Sequence, residues 1–349
     1  MENTTVITKE TKNKIHVDYE GKLSFKERMI NKLKASNTWI TLIINFFRFI
    51  LMLGVSYVIL YPFFARIAGS FMSKEDIIDA TVSLIPKHFT LDIYKYIIIE
   101  NHYLDALLNT ALIALLCALV QTFVACLIGY GLAKFKFKGN ALVMGAVVIS
   151  MIIPHRTLEL AIKSRFTNFD IFTVQAWGLK GPIELIFGEP IELVNSFWPL
   201  VIISLFGLAF KNGLYIYLMR QFFKGVPDEL EESAYVDGSG VFRTFFQIIL
   251  PLSVPMMITI FLFSFSWQWT DEFYTNLFWS RGSEFYLMPD VYELPPKSLS
   301  VYSNSAGWTQ FKNVIQNTAG LLIISPLVII YLFCQRYLVQ GIERSGLVG

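Results

Sequence analysis

Gly225-Val-Pro-Asp-Glu-Leu-Glu-Glu-Ser-Ala-Tyr-Val-Asp-Gly-Ser-Gly-Val-Phe-Arg-Thr-Phe-Phe-Gln-Ile-Ile-Leu-Pro-Leu-Ser-Val-Pro255 is a charged segment set between two long apolar ones. Pro227 is placed to open a helix, because its missing N–H would be unpaired in the first turn anyway. Asp228, Glu229, Glu231 and Glu232 follow at once, and carboxylates favour the positive end of a helix. Leu230, Ala234 and Val236 give a sparse apolar side. Gly238 stops the helix, as glycine does at a left-handed C-terminal position. Ser239 is expected to cap a second helix running into Phe242, Phe245 and Phe246, and Pro251 to end the regular pattern before the next apolar stretch. The segment reads as a short surface helix, a sharp turn and a second helix that dives into apolar surroundings. On spacing alone it fits a docking device for a soluble partner and an ordinary acidic loop equally well.

The rest of the chain says what those surroundings are. Of 349 residues, 54% are hydrophobic and only 16% charged, whereas a soluble domain carries roughly a quarter charged residues. Mean hydropathy is +0.51. A multi-span membrane protein is the default reading. The net charge of +2 is too small to argue for a nucleic-acid partner, and the long apolar stretches argue against one. Cys117, Cys126 and Cys334 all fall in apolar segments and read as small buried residues rather than a disulfide framework or a metal site. The four histidines form no H-x-x-x-H pair, so no zinc hydrolase is indicated.

A span needs about twenty apolar residues. Six candidates emerge: Trp39–Arg66, Leu107–Ala133, Ala141–Ile162, Phe197–Met219, Phe246–Gln268 and Ala319–Val339. The first is too long for a cleaved signal segment and reads as a span of the mature chain. Lys9, Lys12, Lys14, Lys22, Lys26, Arg28, Lys32 and Lys34 precede it; Lys134, Lys136 and Lys138 follow the second; Arg336 and Arg344 lie at the tail. The positive-inside rule puts all of these on the cytoplasmic side. The expected fold is therefore all-α, a polytopic membrane helical bundle of six transmembrane helices. Residues 1–38 form a cytoplasmic N-terminal segment, 39–339 the transmembrane domain with its loop 224–245, and 340–349 a cytoplasmic tail. The N-terminal segment is expected to be partly disordered, with an amphipathic helix at Phe25–Leu33 along the membrane surface. The loops at 164–196 and 280–312 lie outside, and Ser280–Gly307, with Pro289, Pro295 and Pro296, is expected to pack over the outer mouth.

Pro227, Glu229, Leu230, Glu232, Ala234, Asp237 and Gly238, followed by Ile248, Leu250 and Pro251, match the pattern P-x-E-L-x-E-A-A-x-x-D-G-A…I-x-L-P. Tyr217-Leu-Met-Arg-Gln-Phe-Phe223, Asn109-Thr110, Gly129-Tyr-Gly-Leu-Ala-Lys-Phe-Lys-Phe-Lys-Gly139, Ile85-Pro-Lys-His-Phe-Thr-Leu-Asp92 and Gln335-Arg336 through Gly341 fit the same source. Over about residues 80 to 345 the chain resembles the membrane subunits of ATP-binding-cassette importers, in the maltose-type carbohydrate-uptake branch. The resemblance implies a type I permease fold and ATPase coupling through Glu229, Glu232, Ser233, Ala234, Asp237, Gly238 and Pro251. It implies no catalytic residue, metal or bound cofactor, ATP-Mg being held by partner ATPase subunits. The implied partners are a cytoplasmic P-loop ATPase dimer, a second homologous permease, an extracellular or periplasmic solute-binding protein and the lipid bilayer of a bacterial inner or plasma membrane. Alternating access would follow from ATP closing the ATPase pair against the coupling helices. The departures are Ser233, where the family has the first alanine of E-A-A, and the tail Leu347-Val348-Gly349, which lacks the family's lysine and leaves a tail contact with the ATPase open.

Two groups inside the apolar stretches have the chemistry of a substrate path. Lys211 and Asn212 interrupt the fourth candidate span, and a charge at bilayer depth is costly. A lysine there either faces the path, or snorkels or pairs with a carboxylate. Trp267, Gln268, Trp269 and Asp271 close the fifth, and aromatic faces with amide and carboxylate groups suit a sugar. Tryptophan also belongs at any membrane interface. No G-x-x-x-x-G-K-[ST] occurs, so an ATPase must be another chain. The rival reading is an ion-gradient-driven secondary transporter, which would need carboxylates in broken midplane helices; the core spans hold almost none. A membrane enzyme would need a convergent nucleophile, base or metal cluster.

Overall fold

The computed structural model describes residues 8–10, 16–18, 36–170, 180–279, 285–293 and 305–346. The expected amphipathic helix at 25–33 and most of the outer segment 280–307 lie outside the described residues. The chain divides into two compact units, Met1–Ala65 and Arg66–Gly349.

The first unit contains a small antiparallel ribbon, β1 (Thr8–Glu10) and β2 (His16–Asp18), in which Lys9 pairs with Val17. No strand is read here from the sequence, because three-residue runs are too short to announce one. The unit also holds most of α1 (Ser36–Gly69), whose stretch Ile40–Gly69 is long and apolar enough to cross a membrane.

The second unit is built around α4 (Tyr103–Lys134), which follows two short helices, α2 (Lys74–Ile78) and α3 (Asp92–Glu100). At 1.5 Å per residue, α4 is about 48 Å long. Next come α5 (Asn140–Ile152), a 3-10 turn at His155–Leu158, α6 (Glu159–Thr167), α7 (Pro182–Phe187), α8 (Trp198–Leu205) and α9 (Asn212–Lys224). The short α10 (Glu229–Val236) precedes the long α11 (Val241–Trp269), then α12 (Phe273–Phe278), α13 (Met288–Glu293) and α14 (Trp308–Gly346).

Two expected spans are not continuous. Among the described residues, four helices are long and apolar enough to cross a membrane, or up to five if the bent pair α5 and α6 counts as one. That pair bends by 95° at Pro154, so only α5, about 20 Å long, continues the third candidate. Proline disfavours the α-region for the residue before it, and Ile153 is accordingly extended. The fourth candidate is two helices, α8 and α9, separated where Gly207 and Lys211 take left-handed backbone angles of φ 70° and 65°. Pro251, by contrast, does not end a helix. Phe245–Ile249 forms a π turn in which the Leu250 N–H bonds the Phe245 carbonyl. That wider turn accommodates a proline that has no N–H and would otherwise press on the Gln247 carbonyl.

α4 crosses α9 closely because Gly129 lies there: a Cβ on Gly129 would come within 2.6 Å of Met219 Cβ. Gly213 does the same for α9 and α5, where a Cβ would meet Ser150 Oγ at 2.6 Å. Near one end of α4, Tyr130 packs with Phe223, Phe245 and Ile249 in a buried apolar core. At the other, Asn101, Asn109 and Thr110 bond the backbone at Val291, Tyr286 and Met288, so α13 is fixed there by named polar contacts. Cys117 and Cys126 are buried in α4, consistent with small apolar packing.

Candidate functional site

The first site is at the Lys134 end of α4. α9 runs out at Gly225, and Val226 tucks into the core beneath the start of α10. Lys134 Nζ donates to the Val226 carbonyl at 2.6 Å and to the Asp228 carboxylate. The Lys134 hydrogen bond holds the Asp228 carboxyl below its ordinary range. Glu231 Oε1 lies 4.0 Å from the same ammonium and accepts no hydrogen bond. Burial pushes the Glu231 carboxyl up, and Lys134 only partly opposes that. One cation therefore pins the base of α10, with an exposed carboxylate on one side and a buried one on the other.

α10 ends in a Schellman turn. The Gly238 N–H bonds the Tyr235 carbonyl at 3.0 Å, and the Ser239 N–H bonds the Ala234 carbonyl at 2.9 Å. Gly238 has φ 81°, as the sequence required. The N-cap of α11 is Gly240, not Ser239, and it makes no side-chain capping bond. The chain is already turned by the Schellman bonds, so Ser239 is used as the residue after the left-handed glycine.

The expected coupling residues divide by face. Ala234 is buried, while Glu229, Glu232, Ser233, Asp237 and Gly238 are exposed. Ser233 Oγ donates to the Glu229 carbonyl at 2.7 Å, satisfying its hydroxyl within the helix. Pro251 lies beyond the π turn, away from α10 in sequence and inside α11. Val236 and Phe242, which the sequence places only as apolar positions of the two helices, are 88% and 81% exposed on either side of the turn. Sequence reading missed Lys134 and Glu231: Lys134 is 94 residues from Asp228, and nothing local in the sequence announces the pairing.

The second site lies where the fourth candidate span breaks. Lys211 Nζ is 5.0 Å from the centre of the Phe210 ring and 5.2 Å from that of Trp267. The two rings are themselves 5.2 Å apart. Phe210 and Trp267 line a narrow cavity, with free space for about one water molecule, together with Gln121, Ser264, Gln268, Asp271 and Tyr274. Gln121 is oriented from both sides, donating to Ser204 Oγ at 3.1 Å and accepting from Ser264 Oγ at 2.8 Å. Asp271 accepts from the Tyr274 and Thr275 backbone N–H groups, and Tyr274 Oη lies 2.7 Å from His155 Nδ1.

The six expected path residues do not all converge. Lys211, Trp267, Gln268 and Asp271 are together at this cavity, directly or through the Phe210 ring. Trp269 turns away from it: its indole N–H bonds the Ile323 carbonyl at 2.9 Å, and the residue is 2% exposed. Trp269 instead lines a second narrow cavity with Asp271, Thr110 and Leu287. Asn212 is 0% exposed and packs near Gly207 rather than lining either cavity. Among the described residues no group of three or more metal-ligating side chains is present.

Residues 121–344, more than half of the chain, match the family described as the binding-protein-dependent transport system inner membrane component. The chain belongs to this family. Its members are non-catalytic permease subunits of ABC importers, so the gradient-driven transporter is set aside. The galactooligosaccharides transport system permease protein GanQ of Bacillus subtilis is 26% identical over 309 residues, covering 87% of this permease and 95% of the relative. The polygalacturonan/rhamnogalacturonan transport system permease protein YtcP of the same organism is 24% identical, covering 82% of this permease and 92% of the relative. In structure, the permease is similar to a chain of a bacterial ABC transporter involved in the import of the acidic polysaccharide alginate. The TM-score is 0.62 with 17% identity, over 87% of this chain and 98% of that one, a likeness of fold. The permease is an inner-membrane component, and the family works with ATPase and solute-binding partners.

Proposed function

We propose that this permease imports a carbohydrate by alternating access, and that α10 is the point where a partner ATPase drives it. The observation that carries the reading is the Lys134 clasp beneath a short acidic helix closed by a Schellman turn. Such a helix is rigid at both ends, so a push on it is delivered to α4, α9 and α11 rather than absorbed in a loop. Glu229, Glu232, Ser233 and Asp237 present polar groups to the ATPase, and Val236 and Phe242 supply apolar contact. Ala234 and Gly238 fix the helix against its own chain, and Pro251 sets the π turn that joins it to α11.

The carbohydrate class is supported by the names of the relatives GanQ and YtcP. A single α10 in each chain calls for a second, homologous permease facing an ATPase dimer, with ATP-Mg held there. The lysines of 1–38 and the arginines of 336 and 344 place both termini on the ATPase side. The loops at 164–196 and 280–312 then face the binding protein. ATP and the loaded binding protein must each favour one of the two states, or neither shifts the equilibrium.

The test is purification of the chain from native membranes in mild detergent with identification of every companion. A P-loop ATPase and a second permease are expected. A chain that purifies alone, with a conformation indifferent to ATP, would overturn the reading.

A further inference from the structure

We propose that Lys211, flanked by the Phe210 and Trp267 rings, is a carboxylate-binding subsite, and that the transported sugar is therefore acidic. The inference rests on the permease reading and adds the charge of the substrate, on which the relatives' names divide.

Lys211 is an expensive residue in this place on two counts. Its backbone is left-handed at φ 65°, which costs a side-chain-bearing residue about 1–2 kcal/mol relative to the right-handed form. Its charge lies one full α9 length, about 20 Å, from the Lys224 end. It lies exposed in the break of the fourth candidate span. A charged group within an apolar membrane stretch is ordinarily paired. Among the described residues the Lys211 ammonium makes neither an ion pair nor a hydrogen bond, and the two ring faces lie against it. The rings hold the ammonium without neutralising it, because a cation–π contact leaves the donors free.

The groups around it divide the work a sugar acid would require. Phe210 and Trp267 meet at 55°, and in a state where this narrow cavity is open their ring faces suit the C–H surface of a pyranose. Gln268 and the Gln121–Ser264 pair offer hydroxyl partners on the cavity wall. The carboxylate in the cavity, Asp271, is turned onto the Tyr274 and Thr275 amides, which bind its charge. His155 meets the Phe210 ring edge-to-face, with its Nδ1 engaged by Tyr274. Among the described residues Lys211 is thus a cation at the cavity rim with no carboxylate paired to it. A neutral sugar would leave it so, whereas a uronate carboxylate would accept its hydrogen bonds.

The experiment uses the complete transporter with its companions, reconstituted in proteoliposomes. It measures ATP-dependent uptake from a mixture of oligogalacturonates, oligoalginates, maltotriose and galactotriose. The expected result is uptake of an acidic member. Lys211→Gln should reduce that uptake at least about tenfold, the scale of a hydrogen bond to a charged group, while Lys211→Arg retains most of it. Uptake of a neutral member, or acidic uptake unchanged in Lys211→Gln, would overturn the proposal and leave the permease reading standing. If Lys211→Gln fails to assemble, Trp267→Ala and Lys211→Arg decide. Loss of acidic selectivity in Trp267→Ala with uptake kept in Lys211→Arg supports the subsite, and unchanged selectivity in both overturns it. Absence of ATP-driven uptake of every member would overturn both readings together.

Discussion

Gly238 and Lys211 share a left-handed backbone, at φ 81° and 65°, and solve it differently. At Gly238 the missing Cβ removes the cost, and nothing lies within 4 Å of where a Cβ would stand. The position is legible in the sequence because only glycine fits a turn directly after a helix without strain. At Lys211 the cost is borne, so the helix break there was invisible: a lysine in an apolar run reads as an interrupted span. Strain of this kind tends to be kept at functional positions. Lys211→Gly should therefore raise the melting temperature of the purified complex relative to Lys211→Gln, by the equivalent of about 1 kcal/mol, while remaining poor in uptake. Equal melting temperatures would mean that the bend is unstrained. Gly129 makes the opposite demand, one of space rather than angle. A Cβ there meets Met219 Cβ at 2.6 Å and the Arg220 backbone nitrogen at 2.9 Å. Because the backbone cannot swing aside as a side chain does, Gly129→Ala should cost about 1–3 kcal/mol, the range for overpacking a tight contact. Thermal unfolding in detergent checks it.

At the scale of elements, the structure kept the helices whose ends carry local chemistry and altered those whose course depends on distant partners. α10 was readable from Pro227 to Gly238, because proline, acidic first turn and glycine act within one helix. Helix α11 was readable as the span Phe246–Gln268, but its unbroken start from Val241 was not, since Pro251 looks like a stop until the π turn is seen to absorb it. The clasp under α10 was equally hidden, because Lys134 reads as one more cytoplasmic lysine. That clasp gives α10 a pH response. Burial raises the Glu231 carboxyl, so the packed helix holds that proton more tightly than the loosened one. Its contribution is complete below the ordinary carboxylate pKa, about 4.3, and is lost as pH rises through the raised value. Asp228, held down by Lys134, works in the other direction and only below the ordinary range. Between these limits the Glu231 effect stands alone. Amide exchange in α10, corrected for intrinsic rates, should be slower in wild type at pH 5 than at pH 7.5. Glu231→Gln should remove that difference; a difference that persisted would place the titrating group elsewhere.

At the scale of the whole molecule, the fold places two sites on the same three helices. α4 carries Lys134 at one end and Gln121 further along; α9 starts beside Lys211 and ends above α10; α11 begins at the turn after α10 and ends at Trp267 and Gln268. The bundle and its membrane character were legible in composition and hydropathy, and Pro154 marks the break of the third span locally, while the break of the fourth was hidden, because a left-handed lysine has no local signature. Coupling between the sites requires that α10 move as a body with these helices. Ala234 is where that can be broken, since it is buried on α10 and has no side chain to reorganise. Ala234→Glu would force a carboxylate into that contact, and a buried unpaired charge is relieved only by displacing the helix. The ATPase partners would be untouched, so basal hydrolysis in the assembled complex should persist. Uptake, and the rise in hydrolysis on adding loaded binding protein, should fall by at least about fivefold, the lower end of typical coupling strengths. Ala234→Ser, which adds one small hydroxyl, should lie near wild type. If Ala234→Glu left uptake and stimulation intact, force would have to reach the substrate cavity by a route that bypasses α10, and the shared-helix account of the permease would fall with it.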